Sequence, residues 1–449
     1  MTLSLLICIA AFFWLLKRLR RDGISLGLPV AYLYSLLQIH VPGAYAHLVG
    51  SDLLSDSNFT EIAIRFTAIG SVCFVAGVCM AHSGVSPQPR CSPGHRQQFW
   101  VFCLFGGWIF SYGLGPLLHE IPSLGAAIDT GAGIWILGVM LGLRTALQHE
   151  DQKRTAIWLG ALMVYPVLML LFGGFLSYGS TAAIIVLSTL TISTRSLGRV
   201  LAGIVITTFL GLSVFVAYFQ HRDNIREEVW GGAPLQSRID SITDTYRDFE
   251  WFNPSNEKHL LALDARLNQN YFAGLAAQRI EDGQVDYLRG RTIWEGFISL
   301  VPRVLWPEKP VTVGSHGIVS EMTGLRLSTT TSFGIGNVME FYVNFGYVGL
   351  AIGFSLLGWL IGTLDRKGAM AESQGALGEA ILYVLPALPL IQPNGSLVDL
   401  CSGSAAALVA AFGWKLAWKH WERRVSPMVS EGMHRNFDEN SPYCNESPS

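Results

Sequence analysis

Eleven stretches of this chain are apolar for long enough to cross a lipid bilayer, near residues 2–16, 24–42, 60–81, 98–118, 124–143, 155–173, 178–194, 200–219, 336–364, 378–392 and 396–414. A spanning helix needs about 20 mostly apolar residues, and hydrocarbon offers no water to stray backbone groups, so such stretches must be helical. The first is short, and the tenth contains Pro386 and Pro389. The first reads as a span rather than a signal peptide, because Lys17, Arg18, Arg20 and Arg21 follow its apolar run and no small-residue cleavage site appears. Half of the 449 residues are hydrophobic and only 14% are charged, against roughly 25% in soluble domains. The expected fold is an all-α polytopic membrane protein with about 11 transmembrane helices.

Orientation follows from lysine and arginine in the short connections. Basic residues occur at 17–21, at Arg90 and Arg96, at Arg144, Lys153 and Arg154, and at Arg195 and Arg199. They recur at Arg366 and Lys367, then at Lys415, Lys419, Arg423 and Arg424, while the alternate connections near 51–59, 119–123, 174–177 and 393–395 have none. Eleven crossings place every basic connection in the cytoplasm and the N-terminus outside. The expected units are an N-terminal transmembrane bundle (1–219), an external loop (220–335), C-terminal transmembrane helices (336–414) and a cytoplasmic tail (415–449). The net charge of −2 and the lack of a basic tract argue against nucleic acid as a partner. Of seven cysteines, Cys8, Cys73, Cys79, Cys103 and Cys401 lie in apolar runs and Cys91 and Cys444 in polar ones, with no disulfide or zinc spacing.

The external loop has internal order. Asn253-Pro254 reads as an N-cap followed by proline at the first helical position. Leu260, Leu263, Leu267, Tyr271 and Leu275 follow at helical spacing until Asp282-Gly283. That pattern predicts one amphipathic helix of roughly six to eight turns. A shorter apolar stretch at 293–301 contains Trp294 and suits an interfacial or re-entrant segment. Next comes "LVPRVLWPEKP" at 300–310, stiffened by Pro302, Pro307 and Pro310 and carrying Arg303 and Lys309 among apolar residues. Tryptophans favour the headgroup level, and guanidinium grips phosphate with two parallel hydrogen bonds. The segment reads either as a cradle for an anionic headgroup or as a juxtamembrane anchor.

Glu61, Arg65, Asp129, Glu340 and Asp399 fall within apolar stretches, where an ionised group is costly and marks function by default. On the expected topology each sits toward the outer end of its helix. Glu61 and Arg65, four residues apart, also fit a local ion pair, and Asp129 and Asp399 fit helix ends near water. After the proline segment, His316 lies between two glycines as a possible base or sugar contact. Residues 328–332 are a hydroxyl run, and Glu340, Tyr342 and Asn344 begin the ninth stretch. Gly349, Gly353, Gly358 and Gly362 form two GxxxG spacings, which serve close helix packing.

"PRVLWPEKP" at 302–310, the Ser/Thr-rich stretch and "MEFYVNFGYVGL" at 339–350 resemble the bacterial O-antigen and exopolysaccharide repeat-unit polymerases (Wzy-type). The likeness in detail covers about 290–362. It implies an inner-membrane glycosyltransferase that moves a growing glycan from undecaprenyl diphosphate onto a new lipid-linked repeat unit at the periplasmic face. A chain-length regulator and a flippase of the same pathway are the implied partners, besides the bilayer and the undecaprenyl-diphosphate-linked oligosaccharide. Such enzymes depend on periplasmic arginines, some in an arginine, ten residues, glycine spacing that Arg279 with Gly290 and Arg303 with Gly314 both fit. The family has two large periplasmic loops, whereas this chain shows one.

The chemistry needs cations to hold the leaving diphosphate and a base to deprotonate an acceptor hydroxyl. Arg303, Arg279, Arg291 and Lys309 suit the first role, Glu340 and His316 the second, and Tyr342 and Asn344 line the same region. No HExxH, clustered ligand spacing or glycine-rich phosphate loop appears, so neither metal nor other cofactor is expected. Two alternatives remain: an O-antigen ligase, whose histidine, ten residues, glycine spacing is met by His221 with Gly232, and a polysaccharide flippase or exporter.

Overall fold

The computed structural model describes residues 1–50, 55–83, 96–114, 124–174, 176–194, 196–247, 249–301, 305–310, 312–326 and 334–433. Among these residues the chain is helical, with no strand. Each of the eleven apolar stretches contains helix, though 24–27 and 388–392 are not helical, and seven helices are long and apolar enough to cross a membrane: Thr2–Asp22, Ser57–His82, Ala127–Gln148, Gln152–Phe172, Leu197–Trp230, Asn337–Ser373 and Leu397–Arg423. The outer helices are inside-out relative to a water-soluble protein. Ile157, Met163 and Val167 on one, and Val205, Ile206 and Phe209 on another, point away from the core, as lipid contact requires.

Helices α1 (Thr2–Asp22), α2 (Leu28–Val49) and α3 (Ser57–His82) open the chain. Asp56 caps α3 by accepting from the Asn58 amide. After α4 (Arg96–Trp108) come α5 (Leu124–Gly131), α6 (Ile134–Gln148), α7 (Gln152–Gly173), α8 (Leu176–Ser193) and α9 (Leu197–Trp230). The region after α9 contains α10 (Leu235–Arg247), α11 (Glu257–Arg266), α12 (Asn270–Glu281), α13 (Arg291–Ser299) and α14 (Gly314–Thr323). The chain then forms α15 (Asn337–Ser373), α16 (Leu377–Val384) and α17 (Leu397–Met433).

The single amphipathic helix expected from Asn253 to Gly283 is two helices, α11 capped by Asn256 and α12, with a break between Arg266 and Asn270. The cause lies in α2. Pro42 inside that helix lacks an amide and crowds the carbonyl one turn back. Backbone groups beside it pair with the break instead: the Gly43 amide donates to Leu267 O at 3.0 Å, and the Gln269 amide donates to Ile39 O at 3.1 Å. The approach is so close that a Cβ at Gly43 would lie 2.3 Å from that of Asn268.

The most extensive helix pair is α3 against α15, and glycine sets its spacing. A Cβ on Gly77 would sit 2.0 Å from Ser355 O, and one on Gly358 would sit 2.2 Å from Phe74 O. The backbones therefore touch, as small residues permit in membrane helices.

The ninth apolar stretch, expected as one span, is interrupted. Phe345 (φ −145°, ψ 23°) and Gly346 (φ 60°, ψ −140°) break α15. Residues 341 and 354 would be about 20 Å apart in a straight helix, yet the Phe341 and Phe354 rings meet edge-on at 5.1 Å. The chain thus folds back at Gly346, so that a half-helix, 337–344, lies beside the long arm that follows. The positive φ needs glycine, and Tyr287 closes in at 3.1 Å from where a Cβ would be.

The tenth and eleventh stretches form a hairpin. Gly378 packs against Lys415 and Trp418, and Lys415 pairs with Glu379 at 2.6 Å. From Gly378 the ascending arm runs to Ile391, about 20 Å of helical length against about 30 Å of hydrocarbon. It turns at 392–396, where Pro393 O accepts the Asn337 amide at 2.8 Å, and α17 returns. The start of the half-helix and the hairpin turn therefore meet inside the bundle.

Candidate functional site

Glu340 stands on the half-helix and is completely buried. One carboxylate oxygen, Oε2, accepts the Leu397 amide at 2.7 Å, the first amide of α17. A helix N-terminus carries partial positive charge, so it stabilises a carboxylate there. The other oxygen, Oε1, is buried, and the Thr292 hydroxyl stands beside the carboxyl as a further donor. Asp399 and Glu295 add negative charge around it. Asp399 is structurally engaged. It and Ser396 form a reciprocal cap on α17, with the Asp399 amide donating to Ser396 Oγ and the Ser396 amide to Asp399 Oδ2, both at 3.2 Å.

Asn344, one turn beyond Glu340 and on the same face, binds the start of α13 and the residue before it to the half-helix. Its Nδ2 donates to Thr292 Oγ1 and to Glu340 O, both at 2.7 Å, and its Oδ1 accepts the Gly290 amide at 3.0 Å. The Leu288 amide donates to Val343 O at 2.8 Å, just before the break. Loop 285–290 thus satisfies backbone groups that the break would leave unpaired. Tyr342 faces the opposite way and stacks on Phe66, with ring centroids 4.1 Å apart.

Helix α13 covers this site with reversed amphipathicity. Thr292, Gly296 and Ser299 are buried, while Trp294 and Phe297 are 66% and 60% exposed. A helix with small and polar groups inward and aromatics outward suits contact with lipid rather than water.

The four expected cations are differently placed. Arg303 and the 328–332 hydroxyl run lie outside the described residues. Arg291 makes a two-pronged pair with Glu321, Nη1–Oε1 3.1 Å and Nη2–Oε2 2.5 Å. The Glu321 hydrogen bonds hold Arg291 above its ordinary range. Arg279 donates to Gln284 Oε1 at 3.1 Å and to Met322 O at 3.2 Å, at the end of α14. Lys309 donates to Ser299 O at 3.2 Å and Val301 O at 3.0 Å, closing the proline segment onto the end of α13. His316 is half-buried within α14, so it is a helical residue rather than a loop residue.

The five expected intramembrane charges do not converge on one site. Glu61 pairs with Arg65 at 2.5 Å and with the terminal amino group at 3.3 Å. Asp129 is exposed on α5, which meets α17 near Ala410 and Trp414, about 16 Å along the helix from Asp399. Glu340 and Asp399 come together at a second place.

Two buried polar clusters carry no signature in the sequence. In the first, Asp264 accepts from Ser55 Oγ at 2.5 Å and Asn268 Nδ2 at 2.7 Å, and lies 3.1 Å from His47 Nε2. Burial pushes Asp264 up, but hydrogen bonds from His47, Ser55 and Asn268 outweigh it and hold the carboxyl at about 2. One histidine nitrogen serves both Ser55 and Asp264, so this is a clamp and not a relayed catalytic triad. In the second, Asp365 Oδ1 accepts the Leu26 and Leu28 amides, both at 3.0 Å, and Oδ2 lies 3.8 Å from His82 Nε2. Nearby, Arg144 donates to Ser25 O at 2.6 Å and approaches Glu372 at 4.0 Å. Each cluster joins residues more than a hundred positions apart, which no local motif reveals.

No group of three or more metal-ligating side chains occurs among the described residues. No curated protein and no solved structure matches the chain. A family match does exist and spans residues 48–384, which include α3, the helices between α9 and α15, the broken helix and α16. On that match the chain belongs to the family described as Domain of unknown function (DUF8712).

Proposed function

We propose that this protein is a membrane glycosyltransferase that polymerises undecaprenyl-diphosphate-linked oligosaccharide repeat units at the periplasmic face of the bacterial inner membrane. The observation that supports it most is Glu340: a buried carboxylate fixed on one oxygen by a helix N-terminus, with Thr292 beside it. It stands on a broken helix beside α13, which begins at Arg291. In this reading Glu340 takes the proton from an acceptor hydroxyl, whose oxygen forms the new glycosidic bond as the bond to the lipid diphosphate breaks. The pair of electrons leaves with the diphosphate, whose charge Arg303 meets from the proline segment. His316 is the second candidate base. An O-antigen ligase would use the same chemistry on a different acceptor.

The proposed topology keeps 220–335 outside and both 17–21 and 415–424 in the cytoplasm. The hairpin of α16 and α17 does not disturb it, since both arms start and end on one side.

Transport is the second reading. Broken helices that meet within a bundle are the usual setting of transporter sites, and the buried Asp365, His82, Arg144 and Glu372 lie away from Glu340. The two readings part in one experiment. The purified protein, supplied with a synthetic lipid-diphosphate oligosaccharide in detergent without nucleotide sugar, ATP or gradient, is expected to extend it. No extension in detergent, together with lipid translocation in reconstituted vesicles, would establish the transporter and refute the enzyme.

A further inference from the structure

A cleft of about 120 Å³ runs between α1, α2, α8 and α9, and Glu340 is not among its lining residues. Its walls are apolar: Phe12, Val30, Ile184, Leu187, Leu190 and Ile204. Its floor is closed where Tyr34 pairs with Thr208 at 2.8 Å. At one end the lining changes character to Thr191, Thr194 and Arg199. The Arg199 side chain is exposed and forms no ion pair among the described residues. Arg20, at the end of α1, donates to Thr191 O at the same end, and Lys17 and Arg21 lie on the same turns of α1. Gly203 borders the cleft with open space where a Cβ would project.

A cleft with hydrocarbon walls and a cationic, hydroxyl-bearing mouth complements a molecule with an apolar chain and an anionic head. Between membrane helices that combination fits an acidic lipid, because the acyl chain fills the groove while the phosphate meets arginine. We propose that this cleft is a binding site for one anionic phospholipid, its acyl chain against Phe12, Ile184 and Ile204 and its phosphate at Arg199. The site is independent of the proposed glycan chemistry and of which leaflet the basic end of α1 faces. A lipid held there would bridge α1 to α9, which otherwise meet little.

Native mass spectrometry of the full chain, delipidated and then given phosphatidylglycerol or phosphatidylcholine, tests it. The wild type is expected to retain one phosphatidylglycerol, at least ten-fold more tightly than phosphatidylcholine. Gly203→Leu, whose side chain enters the open space and improves helix propensity, is expected to lose the bound lipid. Arg199→Gln is expected to keep the acyl contact but lose the headgroup preference. Inorganic phosphate alone should not compete, since it lacks the chain. Retention undiminished in Gly203→Leu, or equal affinity for both lipids in the wild type, overturns the proposal.

Discussion

Glu340 accepts the Leu397 amide at 2.7 Å, so the half-helix before the break in α15 and the first turn of α17 share one buried carboxylate. Glu340→Gln keeps an acceptor for that amide, whereas Glu340→Leu leaves it buried and unpaired at a cost of about 1–3 kcal/mol. The expected outcome is a normal unfolding midpoint for Glu340→Gln and a lowered one for Glu340→Leu. Glycan extension by Glu340→Gln should fall roughly 10²- to 10⁴-fold, as loss of a general base does, with lipid-substrate binding retained. Full activity in Glu340→Gln would falsify its role as the base.

Arg303 is expected to be needed for long glycan chains and not for abundance in the membrane. Arg303→Ala should leave single capped repeat units in the glycan ladder. Arg303→Lys should recover part of the length distribution, because an ammonium supplies charge without the two-pronged fork. A normal ladder from Arg303→Ala reduces the proline segment to an anchor.

The contact of α3 with α15 predicts contrasting effects of one methyl group. A Cβ on Gly358 meets Phe74 O at 2.2 Å, while a Cβ on Gly203 meets nothing within 4 Å. Gly358→Ala must push two backbones apart, at about 1–3 kcal/mol for such overpacking. Gly203→Ala should be neutral or stabilising by up to about 1 kcal/mol through helix propensity. Unfolding in mixed micelles reads both, and equal effects would contradict the close approach.

Asp264 ties stability to pH. Its folded value of about 2 lies below the ordinary 3.8, so the stabilisation is complete above about pH 4 and is lost as pH falls toward 2. Between pH 5 and pH 3 the wild type should lose more stability than Asp264→Asn, which has no proton to gain. Parallel decline of the two proteins would show that the clamp does not depend on the charge.

Reporter fusions at Asp286 and at Met433 are expected on opposite sides of the membrane, with Asp286 outside. Finding both on one side removes the proposed topology and the external location of Arg291 and Lys309 with it.

Helix positions were legible because burial in hydrocarbon is a property of composition over about 20 residues. Stretches such as 155–173 and 200–219 could be located from their own residues. The packing role of Gly358 and Gly362 was legible for the same kind of reason, since spacing along one helix defines a face. The two-helix form of 253–283 was not. Its apolar spacing suits one long helix, and the break comes from backbone groups that Pro42 frees more than two hundred residues earlier.

The sequence by itself determined that this chain is a set of apolar helices with a polar region between α9 and α15, because hydrophobic length and helical period are local quantities. Tertiary structure decided which polar residues meet. Glu340 and Asn344 became one site with Leu397 and Thr292 only when Gly346 turned the chain back. Arg279 and Arg291 acquired partners on α14 in the same way. A buried polar group needs a partner wherever the fold can supply one, and that supply depends on which helices pack together, not on the neighbours along the chain.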